Sequence, residues 1–283
     1  TVVNEFILKR GNILNAQHLP PKLVQFVCCR LTEAQQELYD AIINNKDVRH
    51  LTEGNQKDTL NYIRHLINVC SHPQLVYNSY EAKKKENLDD AVLSAVVNAV
   101  PPPRRDGGGS KAHANKAIIT RAPGRSGKVN PGGSGCGGSA TVDPMLSGKL
   151  TFLYKMMATM RALKNGERIV IVSNYTSTLD LIGGMCSQSG WPFLRLDGTV
   201  ASKKRTALVD QFNDPYSPQF AFLLSSKAGG CGINLIGGNR LVLFDPDWNP
   251  ASDKQAAGRV WREGQKRRCF IYRLMSTGTI EEK

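Results

Sequence analysis

The sequence predicts a doubly wound α/β fold, and two features carry that prediction. From Arg168 onward short, almost continuous apolar runs recur, as strands buried on both faces of a parallel sheet require. Between them lie longer stretches of helical character. Strands alternating with helices in this way are joined by right-handed crossovers that cover both faces of one sheet.

In chain order, residues 22–31 read as a strand and Thr32 as the N-cap of a helix reaching about Ile43. Residues 60–70 form a second helix, closed by Ser71, His72 and Pro73. Residues 1–78 thus read as a linker strand and a helical subregion. Residues 79–146 are a low-complexity insertion, with PPP, RRDGGGSK and PGGSGCGGSA in place of apolar periodicity. Such Gly/Pro-rich sequence buries too little apolar surface to offset its ordering entropy, so a disordered, mobile loop is expected, with a weak helix around 88–97.

The α/β unit spans residues 147–283. It opens with a helix over 147–164, whose Leu150, Leu153, Met157 and Met160 recur at helical spacing and face the sheet. Strands follow at RIVIVS (168–173), PFLRLD (192–197), FAFLLSS (220–226), RLVLFD (240–245) and CFIYRLM (269–275), with helices starting near Ser177, Ser202, Gly230 and Pro250. Ligands of doubly wound sheets bind outside the carboxyl ends of the strands. Those ends are Asn174–Tyr175, Gly198–Thr199, residues 225–232 and residues 245–249.

Composition narrows the ligand. Lys and Arg number 37 against 24 acidic residues, a net charge of +13 that favours a polyanion. No apolar run is long enough to span a bilayer, which leaves nucleic acid ahead of a membrane surface. Seven cysteines form no CxxC pair, and His65 and His72 lack partnering ligands, so no metal site is expected.

Two fragments imitate a phosphate-binding loop, GRSGKV at Gly124 and SGKL at Ser147. Neither has Ser or Thr after its lysine or the glycine required five residues before GK. GGCGIN at Gly229 lacks the last glycine of a dinucleotide fingerprint, and no acidic metal-holding motif follows a strand. Ser225, Ser226 and Lys227 do precede glycines, Gly230 and Gly232 among them, that let backbone N–H groups approach a phosphate. Further on, Gln255, Arg259 and Arg262 lie four and three residues apart, on one face of a helix entered at Asn249–Pro250 and released at Gly264. Paired guanidinium forks on one face suit an anion, although a solvated amphipathic helix would show the same spacing.

The run SSKAGGCGINLIGGNRLVLFDPDWNPASDKQAAGRVWREGQ resembles the second, RecA-like lobe of Swi/Snf-type helicase-like ATPases. Within that family FILKR, LPPK, VCCRLTEAQQELY, NVCSHPQLVY and VSNYTSTLDL are similar to recombination-repair translocases of the Rad-fifty-four type. The resemblance implies a DNA-dependent ATPase tracking along double-stranded DNA, in which ATP and its magnesium are held by a first RecA-like lobe. It makes Arg259 and Arg262 arginine fingers, has Gln255 orient them or the nucleotide, and sets Gly230 and Gly232 beside the nucleotide. Ser173, Asn174, Gly198, Thr199, Ser225, Ser226 and Lys227 become DNA-phosphate contacts. A recombinase filament and nucleosomes are the further partners implied, and the nucleus the location. Without a phosphate-binding loop, this chain alone is expected to be inactive as an ATPase.

A stand-alone DNA-binding module and an RNA helicase lobe are the competing readings. In-register arginines favour the enzyme over a simple binder, and the DPDWNP and SHP segments favour Swi/Snf over RNA helicases. Asp197 reads as an anchor for its turn and Trp248 as a packing residue, while Lys9 and Arg10 could meet DNA or the first lobe. Gly258 stands where the repair subfamily usually has alanine, and should weaken its helix by about 1 kcal/mol unless close packing needs it.

Overall fold

A computed structural model describes residues 18–45, 56–88, 90–102, 141–228, 233–245, 247 and 249–282. Six parallel strands form one sheet: β1 (Lys22–Cys29), β2 (Ile169–Ser173), β3 (Phe193–Leu196), β4 (Ala221–Ser225), β5 (Arg240–Leu243) and β6 (Cys269–Ser276). Their spatial order is β1-β6-β5-β2-β4-β3, with the fully buried β2 and β4 at adjacent inner positions. Because every pairing is parallel, all six carboxyl ends emerge along one edge.

The helices are α1 (Glu33–Ile43), α2 (Gln56–Ser71), α3 (Pro73–Lys85), α4 (Ala91–Ala99), α5 (Gly148–Leu163), α6 (Thr176–Gln188), α7 (Ser202–Asn213) and α8 (Pro250–Val260). Helices α5 and α6 cover one face of the sheet, packing Leu153, Met157, Leu179 and Ile182 on Ile169, Ile171 and Leu223. Helices α7 and α8 cover the other, with Phe212, Ala256 and Val260 on Val170, Phe222 and Leu241. The alternation of side chains along β2 and β4 thus feeds two cores, which is why those two strands are almost wholly apolar, whereas the edge strand β1 is largely exposed.

Helices α1 to α4 make a third core around Leu38, Ile42, Val69, Val76, Leu93 and Val96. Thr32 caps α1 through a reciprocal capping box with Gln35, as its sequence requires. This bundle reaches into the stretch read as insertion: α3 continues to Lys85 and α4 follows, with Leu93 and Val96 each 1% exposed. Asp90 caps α4 and also takes His65 and Lys83. Burial pushes the Asp90 carboxyl upward, but those hydrogen bonds outweigh it and hold it well below the usual carboxylate range. Residues 103–140, most of the Gly/Pro-rich sequence, lie outside the described residues.

Among the described residues one expected crossover helix is absent. Residues 233–239, where a helix from Gly230 should run, are irregular with a turn at Ile236–Gly237. The chain passes so close to α7 there that a Cβ on Gly237 would stand 2.4 Å from the Phe212 carbonyl oxygen.

Candidate nucleic-acid and nucleotide-phosphate site

The carboxyl edge of the sheet gathers most of the predicted residues, and their burial divides them. Asn174 and Ser226 are half-buried and hydrogen-bonded to each other, while Thr199, Gly198 and Lys227 are exposed. These five can meet an external anion. Ser173 cannot, being 1% exposed with its hydroxyl spent on the Asp245 carboxylate. Ser225, 4% exposed at the end of β4, is likewise a support, its carbonyl closing a turn to the Ala228 amide at 3.1 Å. Both serines are thus buried at the carboxyl ends of their strands, β2 and β4. Asp197 anchors its turn as expected, accepting from the Thr199 amide at 3.0 Å and from Arg195 Nε at 2.8 Å.

Donors at this edge are not limited to side chains. Helix α6 starts after β2 and α7 after β3, with Tyr175 and Ala201 at their N-caps and no side-chain cap at either. First-turn N–H groups left without a cap, together with the positive end of the helix dipole, make an anion-binding surface. Lys203 and Lys204 in the first turn of α7 are exposed beside Gly198–Thr199. The sequence reading passed over them, although the KKR run directly after a strand-end turn was a visible signal.

Helix α8 begins with an Asn249 cap to the Ala251 amide and Pro250 in its first turn. Gln255 and Arg259 share a face of it, the first exposed and the second 7% exposed. Burial pushes the Arg259 guanidinium below its usual range, so its charge is poorly hydrated and strongly felt by any anion nearby. Arg262 is not on this helix. The helix ends at Val260 because the Trp261 indole is drawn to the start of β1, donating to the Pro20 carbonyl at 2.8 Å with Lys22 Nζ 3.9 Å from the ring centre. Arg262 lies in the turn beyond, its guanidinium 3.4 Å from the Ile233 carbonyl.

That turn is pinned to the loop leading out of the glycine-rich segment. The Leu235 amide donates to the Arg259 carbonyl at 2.9 Å, and the Gln265 side chain reaches the carbonyls of Gly238 at 2.9 Å and Val260 at 3.1 Å. Both arginines and this loop therefore share one neighbourhood even without a common helix. Gln265 is a residue the motif contained but its spacing could not assign. Gly230, Gly232, Trp248, Lys9 and Arg10 lie outside the described residues. Among the described residues no group of three or more His, Cys, Asp or Glu side chains could hold a metal ion, and no helix is long and apolar enough to cross a membrane.

Residues 148–264 match the family described as helicase conserved C-terminal domain, and residues 1–75 match the SNF2-related domain. The chain is 48% identical over 283 residues to the DNA repair and recombination protein RAD54 of Oryza sativa subsp. japonica. It is 42% identical over 285 residues to the DNA repair and recombination protein RAD54-like of Homo sapiens. The chain belongs to the Swi/Snf family. It aligns over 99% and 100% of its own length but spans only 26% and 33% of those two proteins. Its structure is similar to a crystal structure of the C-terminal part of the Fun30 ATPase domain, with a TM-score of 0.62 and 25% identity, covering 94% of this chain and 88% of that one. The sheet of this Swi/Snf chain draws on both family matches, β1 from the SNF2-related domain and β2 to β5 from the helicase C-terminal domain, with β6 beyond both.

Proposed function

We propose that this chain is the C-terminal motor lobe of an ATP-dependent translocase on double-stranded DNA, acting in recombination repair and on chromatin in the nucleus. A first RecA-like lobe completes it, holding ATP and magnesium, and a recombinase filament and nucleosomes are its further partners. One observation supports DNA contact above the rest: two uncapped helix starts, α6 and α7, at the same sheet edge as exposed Lys227, Thr199 and Lys203. Backbone N–H groups and lysines bind phosphates without reading bases, which suits a motor that must pass every sequence.

The opposite task falls to the end of α8. A poorly hydrated Arg259 and the neighbouring Arg262 fit the phosphate end of a nucleotide. They would offset the charge that develops on a transferred phosphoryl group, a role worth ~10³ to 10⁵ in rate. ATP supplies the phosphoryl-transfer chemistry; Arg259 and Arg262 supply charge, and Gln255 orients from one turn earlier on the helix.

A salt titration of duplex-DNA binding tests the DNA part. Binding by this chain should be weak, indifferent to sequence and steeply weakened by salt, losing roughly threefold per phosphate contact for a roughly fourfold rise in salt. Affinity constant across that range, or a strong preference for one sequence, would defeat the reading.

A further inference from the structure

The SGK fragment at Ser147, which fails as a phosphate-binding loop, is built as a joint. Ser147 caps α5 while its hydroxyl donates to the Ser71 carbonyl at 2.7 Å. Gly148 lies against Arg30 so closely that a Cβ would stand 2.0 Å from the Arg30 carbonyl oxygen. Lys149, 1% exposed, donates to the Phe244 carbonyl at 3.0 Å and pairs with Glu281 at 2.6 Å. Its ammonium attracts the neighbouring Asp245 carboxylate, which is itself 4% exposed.

Asp245 is bonded from two different bodies. One of its oxygens accepts from the hydroxyl of Ser71, the last residue of α2 in the helical bundle, at 3.1 Å. The other accepts from Ser173 at the end of β2. The Ser173 carbonyl in turn accepts from the Ser226 amide at 3.0 Å, and Ser226 bonds Asn174. In sequence Asp245 lies shortly before the Asn249 cap of α8.

We propose that Asp245 is a positioning residue through which the helical bundle, by way of Ser71, sets the DNA-facing loop of Asn174 and Ser226. A buried carboxylate is a costly way to fill a joint, and apolar packing would serve stability at least as well. What the carboxylate adds is direction. Its two oxygens hold two elements in one register, so a shift of either is felt by the other. Burial pushes this carboxyl above the usual range, against the pull of Lys149 and the two serines. The inference rests on the functional reading above, since the coupling has meaning only if the loop meets DNA.

The test is Ser71→Ala in the intact protein, which removes one bond onto Asp245 from outside the sheet. The DNA concentration for half-maximal ATP hydrolysis should rise ~5-fold or more, the lower end of ordinary site-to-site coupling. The DNA-free rate and the saturated rate should stay within about twofold, while the buried carboxylate left one donor short should lower the melting temperature by a few degrees. A purely structural serine would lower the melting temperature and leave half-saturation alone. Hydrogen exchange gives a second measurement, independent of the variant's stability. In the unaltered protein, duplex DNA should slow exchange at residues 68–71 as well as 174–178; in Ser71→Ala only the second protection should remain. Unchanged half-saturation in a folded variant, or no DNA-dependent protection at 68–71 in the unaltered protein, overturns the proposal. Absence of any DNA-stimulated hydrolysis in the unaltered protein would sink the functional reading, and the coupling with it.

Discussion

Helix starts divide this molecule into two regions. In the bundle and at α5 and α8, five helix starts carry their own side-chain cap, Thr32, His72, Asp90, Ser147 and Asn249, while the residue before α2 lies outside the described residues. At α6 and α7 none is present. A cap is worth about 1 kcal/mol, so two omissions at one sheet edge forgo roughly 2 kcal/mol. The bundle has a use for that stability. The edge has a use for unfilled donors, and the difference teaches that stability and proposed function are sited in separate parts of the chain.

If that division is right, changes at the proposed functional residues should damage activity without unfolding. The largest effect is expected for Arg259→Ala and Arg262→Ala in the intact protein, where DNA-stimulated ATP hydrolysis should fall ~10³-fold or more. DNA affinity at fixed salt should change by less than about threefold. Hydrolysis rates against DNA concentration decide it: near-normal saturated rates in both variants would move the arginines from nucleotide to DNA. In the bundle the reverse is expected. Leu93→Ala, at a site 1% exposed, should cost about 2–5 kcal/mol in denaturant melts, while hydrolysis per folded molecule stays unchanged. An activity loss exceeding the unfolded fraction would break the division.

The division was only half legible in the sequence. The strands of residues 168–275 were readable to within about two residues, most plainly β2 and β4, which are buried at every position. So was Thr32, because a capping box is local. What failed depends on distant partners. Helix α4 was expected as a weak helix inside an insertion, but not its place in the bundle, where Leu93 and Val96 join the core of α1 and α3 and His65 of α2 reaches Asp90. Arg262 left its helix because Trp261 bonds Pro20, which no helical wheel contains. Ser173 looked like a phosphate contact until Asp245 covered it. Lys149 was dismissed with its false loop, and only the fold brings Glu281 to it.

Supplying a missing cap tests the comparison directly. Ala201 is exposed and extended at the start of α7, with φ −59° and ψ 143°, so a carboxylate there can bond the first-turn amides. Ala201→Asp should raise stability by about 0.5–1 kcal/mol through the cap and the dipole. It should also weaken duplex-DNA binding several-fold, on the order of 1 kcal/mol, by filling the donors and repelling phosphate. Paired melts and binding isotherms would show the trade. Stabilisation with unchanged DNA affinity would mean that the open helix start serves no anion.

The smallest expected effect is at Gly258, and it asks on which side of the division α8 falls. This helix is capped like those of the bundle, yet it carries Gln255 and Arg259 and holds a glycine immediately before the arginine. Close packing does not require that glycine: it is exposed, and a Cβ there would meet nothing within 4 Å. Replacing an exposed glycine in a helix by alanine should therefore add about 0.8–1 kcal/mol. For Gly258→Ala the expected outcome is that gain in thermal melting with unchanged DNA-stimulated hydrolysis, because Arg259 is already held by burial and by the Leu235 amide on its carbonyl. A gain in melting accompanied by slower hydrolysis would show that the weak last turn lets Arg259 move. Helix α8 would then join α6 and α7 as a place where stability is forgone for function.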